Sequence, residues 1–137
     1  NKKLMATIKA TYFGSTGCIW GFSTSNAGFY TLNHTASHSA KIEWDGANSK
    51  LYAVTSNGSA NTRTDITGSL TVSNWNMYRI EVDLAAGTPN VKFYVNGTLK
   101  ATHTTNLPSS SNVFFGTGLD TSDRWSYLTA PIISIEE

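Results

Sequence analysis

Apolar and polar residues alternate most regularly between Asn76 and His103. Tyr78, Ile80, Val82 and Leu84 fall on one side of a two-residue period, and Met77, Arg79, Glu81 and Asp83 on the other. That is a strand with one dry face. Val91, Phe93 and Val95 repeat the pattern, with Lys92, Tyr94 and Asn96 opposite. Asn96-Gly97 then separates two alternating runs, which predicts a type I′ hairpin because both central residues of that turn need positive φ. Leu99 and Ala101 carry the return strand. Three successive antiparallel strands form a meander, and its apolar face demands a second layer.

The rest of the chain supplies that layer. Leu4, Ala6, Ile8 and Ala10 alternate with Met5, Thr7 and Lys9 in a first strand, and Gly14 to Gly17 make a turn. Cys18, Trp20 and Phe22 share a face of a second strand, and Phe29 to Leu32 reads as a short third one. Asp45-Gly46-Ala47-Asn48 is a hairpin junction between Lys41–Trp44 and Lys50–Thr55. Asn61 to Ile66 is extended, Val113 to Gly116 is a strand, and Trp125 to Glu136 closes the chain. Ten to twelve short strands at this spacing predict an all-β sandwich or barrel in a single domain, residues 1–137. The first and last strands are expected to pair and tie down both ends.

Composition narrows the function classes. Only 14% of residues are charged and the net charge is +1, which argues against a partner held through nucleic-acid phosphates. No apolar run approaches the ~20 residues of a membrane span. One cysteine, Cys18, rules out an internal disulfide; in its apolar strand it reads as a buried, inert thiol. The chain starts at Asn1 without an initiator Met, so a longer parent polypeptide or assembly is expected.

From Trp75 to Pro108 the run W-N-M-Y-R-I-E-V-D, followed by V-K-F-Y-V-N-G-T-L-K-A-T-H-T-T-N-L-P, resembles the concanavalin A-like lectin/glucanase superfamily. I-W-G-F-S-T and K-I-E-W-D-G-A-N-S-K-L-Y-A-V-T-S-N-G are similar too. The likeness is to laminin-G-like jelly-roll domains of bacterial secreted proteins and phage virion proteins. It implies a two-sheet antiparallel jelly-roll sandwich, with ligands on a concave sheet face or on rim loops. The superfamily includes lectins, glycosidases, adhesion modules and virion parts, so the fold alone does not name an activity.

Chemistry has few candidates. The glucanase branch carries a Glu-x-Asp-x-(x)-Glu strand whose outer carboxylates act as nucleophile and acid. Glu43-Trp44-Asp45 is the one partial match, and Gly46, Ala47 and Asn48 follow where the third carboxylate belongs. The expectation is no enzyme. His34 and His38 have the spacing of zinc ligands on a helix but lie in a Ser/Thr loop, and His103 ends a strand as a sheet-face residue. Sugar recognition needs aromatic faces for a pyranose ring and short polar groups for its hydroxyls. Trp44, Tyr52, Tyr94, Trp125 and Tyr127 offer the first, and Arg63, Arg79, Asp83 and Asn96 the second. Trp20 and Trp75 are expected in the core. The resemblance also implies a rim Ca²⁺ site, for which Asp120 and Asp123, with Asp45 and Asn48, are the candidate oxygens.

The combined expectation is a non-catalytic lectin-like module on an extracellular or virion surface. A capsid decoration protein, head fibre or tail fibre would be its setting, with a cell-surface glycan or neighbouring virion subunits as partner and homo-oligomers open. A carbohydrate-binding module of a secreted bacterial glycoside hydrolase is the alternative, and a divergent glycosidase the third reading.

Overall fold

A computed structural model describes residues 3–12, 17–29, 31–33, 35–109, 113–119 and 126–136. Eleven strands occupy the described residues: β1 (Lys3–Tyr12), β2 (Cys18–Ser23), β3 (His38–Asp45), β4 (Lys50–Asn57), β5 (Asn61–Asp65), β6 (Asn76–Asp83), β7 (Asn90–Val95), β8 (Thr98–His103), β9 (Phe114–Leu119), β10 (Ser126–Leu128) and β11 (Ile132–Glu136). They form two antiparallel sheets. Sheet A runs β10-β1-β6-β7-β8, with β11 lying beside β10 on the same edge of β1. Sheet B runs β5-β4-β3-β2-β9. No described helix is long and apolar enough to cross a membrane.

The meander is where the alternation puts it. Tyr78, Ile80, Val82, Val91, Phe93 and Val95 are buried and meet Ala6, Ile8 and Ala10 of β1 in the inter-sheet core. Sheet B contributes Trp20, Phe22, Ala40, Ile42, Trp44, Leu51 and Ala53 from the other side. Trp20 and Tyr78 join the two sheets edge to face, with ring centroids 6.2 Å apart; such a pair adds about 0.5–1.5 kcal/mol beyond the area it buries. Asn96 and Gly97 have φ of 51° and 79°, the two positive values of a type I′ turn. β1 pairs with β11 from Lys3↔Glu136 to Thr7↔Ile132, so the first and last strands are neighbours.

Four details depart from the alternation. First, the described residues from Phe29 to Leu32 form no strand: Asn26–Phe29 is a turn of 3-10 helix. Its Gly28 carbonyl is satisfied by the Lys41 ammonium (3.0 Å) instead of by a ladder partner. Second, Trp75 is not in the core; it is half exposed, and Lys9 reaches over its ring at 5.7 Å. Third, β8 carries a bulge. Phe93 opposes Ala101, but Tyr94 opposes Leu99, so one extra residue sends Leu99 to the outer face while Ala101 stays inside.

Fourth, sheet B is buried on both faces over much of its width. Ser39, Lys41, Glu43, Val54 and Ser56 point away from the core yet are buried. They lie beneath a strap, the described residues between Thr24 and Ser37. Glycine makes room for it: a Cβ on Gly116 would sit 2.8 Å from the Phe29 ring, and one on Gly118 would run into the Phe29 carbonyl oxygen. The 3-10 turn thus seats on β2 and β9. Ser56 donates a hydrogen bond to the Thr35 carbonyl at 2.8 Å, fastening the other end of the strap over β4.

Candidate ligand-binding faces

The register separates the candidate residues into two arginine–tyrosine clusters on opposite outer faces. On sheet B, Glu43 pairs with Tyr52, Tyr52 with Asp65, and Val54 with Arg63. Alternation then puts Glu43, Asp45, Lys50, Tyr52, Arg63 and Asp65 on the outer face, at the end that the strap leaves open.

The base of this cluster is a buried ion network. Glu43 receives the Lys41 ammonium at 3.0 Å, both groups being fully buried. The Asn33 backbone N–H donates to both Glu43 oxygens at 3.1 Å. Asn33 has φ of 56°, a left-handed conformation that asparagine tolerates. Its side-chain oxygen accepts from the Asn61 amide at 2.6 Å, which ties the strap to β5.

Above this base, Arg63 lies 3.4 Å from Glu43 and 3.7 Å from Asp45, and its guanidinium centre stands 3.3 Å over the Tyr52 ring. Two carboxylates and an aromatic face therefore fix one planar cation that remains 24% exposed. At the rim, Lys50 and Asp65 pair at 2.7 Å. Hydrogen bonds from Lys50 and Thr67 hold the Asp65 carboxyl at about 2. Asp45 is also spent on its own turn: Asn48 donates its backbone N–H at 3.2 Å and its side-chain amide at 3.0 Å.

On sheet A, Arg79 and Tyr94 are directly opposite across β6 and β7. The guanidinium lies 4.0 Å over the ring, Tyr94 donates to Glu81 at 3.1 Å, and Arg79 pairs with Glu81 at 3.2 Å. Burial, with the hydrogen bond to Glu81, pushes the Tyr94 hydroxyl up. Sequence reasoning paired Arg79 and Tyr94 but missed Glu81. Its signal was present, since Arg79, Glu81 and Asp83 share one side of the alternation.

Several candidates are placed elsewhere. Trp44 points into the core, where it is 6% exposed; it follows Glu43 on β3, so it must face the other way. Asp83 lies on the outer face of sheet A but caps the next turn, accepting from the Ala85 and Ala86 N–H groups at 3.2 and 2.9 Å. Asn96 locks its hairpin to β6, accepting from Met77 N–H and donating to Asn76. His103 is buried between the sheets, with Thr55 on one ring nitrogen (3.0 Å) and Thr64 on the other (2.9 Å). His38 begins β3 and accepts from the Ser109 N–H at 3.2 Å.

Trp125, Asp120, Asp123 and His34 lie outside the described residues, as do the side chains of Tyr127 and Cys18. Among the described residues no group of three His, Cys, Asp or Glu side chains is arranged to hold a metal ion.

A sheet-B carboxylate does stand where an E-x-D strand would put one. Glu43, however, has no exposed surface and both oxygens engaged. Glycoside hydrolysis uses two carboxyls about 5–9.5 Å apart, with sugar or water between them; in this geometry Glu43 meets only protein.

No family model matches the chain, and no curated protein matches it. Solved structures do. Sheep galectin-11 in complex with glycerol superposes with a TM-score of 0.60 at 14% identity, covering 96% of this chain and 90% of that one. A Bacillus licheniformis beta-glucanase superposes with a TM-score of 0.56 at 17% identity, over 93% of this chain and 53% of its own. This chain therefore spans about half the length of the glucanase. Domains LG4-5 of the mouse laminin alpha1 chain give a TM-score of 0.49 at 13% identity, over 83% of this chain and 26% of that one. The two-sheet arrangement and the galectin and glucanase superpositions identify the fold as a concanavalin A-like jelly roll.

Proposed function

We propose that this jelly roll is a non-catalytic carbohydrate-binding module, with its ligand at the Tyr52–Arg63 cluster of sheet B. One observation carries the reading: Arg63 is ion-paired with Glu43 and Asp45 and stacked on the Tyr52 ring, at the end of the sheet-B face that the strap leaves open among the described residues. A sugar hydroxyl pair meets a planar donor there whose ion pairs and ring contact reduce the ordering needed on binding. Lys50, Asp65, Asn33 and Asn61 surround it with further donors and acceptors. The galectin and glucanase likenesses favour a saccharide over other polyols only as neighbours in fold. The buried, fully engaged Glu43 favours binding over hydrolysis.

The setting in this reading is an extracellular or virion surface, as a capsid decoration, head fibre or tail fibre part that adheres to host glycans. A sparsely charged, Ser/Thr-rich exterior suits exposure without non-specific adhesion. A module attached to a secreted bacterial glycoside hydrolase has the same chemistry; the neighbouring domains of the full polypeptide distinguish the two.

The test is a glycan array with the wild-type domain and the variants Tyr52→Ala, Arg63→Ala and Arg63→Lys. Selective binding by wild type, weakened at least tenfold in all three, supports the site; tenfold corresponds to about 1.4 kcal/mol. Failure of Arg63→Lys would single out the planar fork over charge alone. Unchanged binding in all three variants removes the cluster from the site, and release of reducing ends from a bound glycan overturns the non-catalytic reading.

A further inference from the structure

All the large hydrophobic side chains that stand exposed among the described residues belong to sheet A or its border: Trp75 at 50%, Met77 at 52%, Leu99 at 49%, Ile132 at 71%, and Ile133 and Ile135 on β11. Sheet B exposes none of them. The register arranges the outer face of sheet A in rows. Ile132, Thr7, Arg79, Tyr94 and Leu99 lie side by side across five strands. Lys9 and Met77 lie one row to one side, and Met5 and Glu81 one row to the other.

A row with Ile132 and Leu99 at its ends and a stacked arginine–tyrosine pair at its centre, bordered by Trp75 and Met77, carries residue types enriched in protein interface cores. We infer that the outer face of sheet A is a self-association surface, on which a second copy of this chain packs face to face. This is independent of the ligand assigned to the opposite face.

Size and the self-matching of the rows favour a second copy. Five strands at about 4.8 Å and eight residues at about 3.3 Å give a face of roughly 600 Å² in projection, near the ~800 Å² that each partner contributes to a standard interface. The face also complements itself. A two-fold axis lying in the interface along the Arg79–Tyr94 row keeps each strand opposite itself and reverses its direction. Leu99 then meets Leu99 of the second copy, and Ile132 meets Ile132. The Lys9–Met77 row is brought against the Met5–Glu81 row, so that Lys9 faces Met5 of the other copy, Met77 faces Glu81, and Lys9 stands one strand over from that carboxylate. Arg79 is already neutralised by Glu81 in its own chain, so the facing arginines do not repel as bare charges.

Sedimentation equilibrium from about 1 to 500 μM tests this, with Met77→Lys and Leu99→Lys compared with wild type. The expected result is a wild-type mass rising from 14.8 kDa toward twice that value, with both variants held monomeric at least tenfold higher in concentration and unchanged in circular dichroism. Ile135→Lys and Tyr52→Ala serve as controls and are expected to associate like wild type. A wild type that stays monomeric throughout overturns the assignment. So does loss of association in Ile135→Lys alone, which would place the contact on the β11 edge. Loss of glycan binding in Met77→Lys and Leu99→Lys, with Tyr52→Ala unaffected, would make this face the sugar site and overturn both proposals; loss in Tyr52→Ala alone leaves this one standing.

Discussion

Glu43 has no exposed surface, yet it sits between two cations and under a backbone N–H. A buried pair of this kind costs desolvation, and its net value over an apolar substitute is small. Breaking it is another matter. Glu43→Gln keeps the shape, removes the charge and leaves the Lys41 ammonium buried with only neutral oxygen acceptors, the Gly28 carbonyl among them. The expected loss is about 3–5 kcal/mol in urea unfolding; a loss below about 1 kcal/mol would mean that Lys41 reaches water when its partner is gone. This network was only half legible in the sequence. Alternation put Lys41 and Glu43 on one face, but nothing local says that the face is covered. The cover comes from residues 10 to 15 positions upstream, and without it Trp44 and Tyr52 look equally available. The same limit explains Trp75, whose aromatic bulk suggested the core although it lies outside the strand period.

At the scale of elements, the strap depends on the absence of side chains on β9. Gly118→Ala places a Cβ against the Phe29 carbonyl, and Gly116→Ala places one against the Phe29 ring. Each is expected to cost about 1–3 kcal/mol. The two should differ in rescue: adding Phe29→Ala relieves Gly116→Ala, whose clash is with a side chain, and leaves Gly118→Ala unrelieved, because its clash is with backbone. A double-mutant cycle on thermal unfolding reads the difference; equal rescue would show that the strap lifts as a unit. The hairpins were legible because their signals are local: Asn96-Gly97 announces its own turn. The β8 bulge was not, because alternation put Leu99 and Ala101 on one face, and only the pairing with β7 reveals the extra residue.

At the scale of the whole molecule, His103 clasps the two sheets, joining β8 to Thr55 of β4 and Thr64 of β5. Burial lowers its pKa from the usual 6.5 to about 4. The unfolded chain therefore binds a proton between these values that the folded chain refuses. The contribution is fully present above pH 6.5, is lost as pH falls toward 4 and changes no further below that; the loss is at most about 3 kcal/mol. Wild type should melt lower at pH 4.5 than at pH 7.5, and His103→Gln should show a smaller difference between the two. An equal difference in both would assign the acid sensitivity to other groups.

The strap also limits how a long polymer could be met. It closes the β2–β9 side of sheet B and reaches across β4 to Asn61 at the start of β5, leaving access, among the described residues, at the Lys50–Asp65 end. If the Tyr52–Arg63 cluster holds a saccharide, a chain threading across all five strands has no path. The domain would then read termini and branch points, and a surface rich in chain ends would capture it more strongly than one built from long unbranched strands of the same sugar.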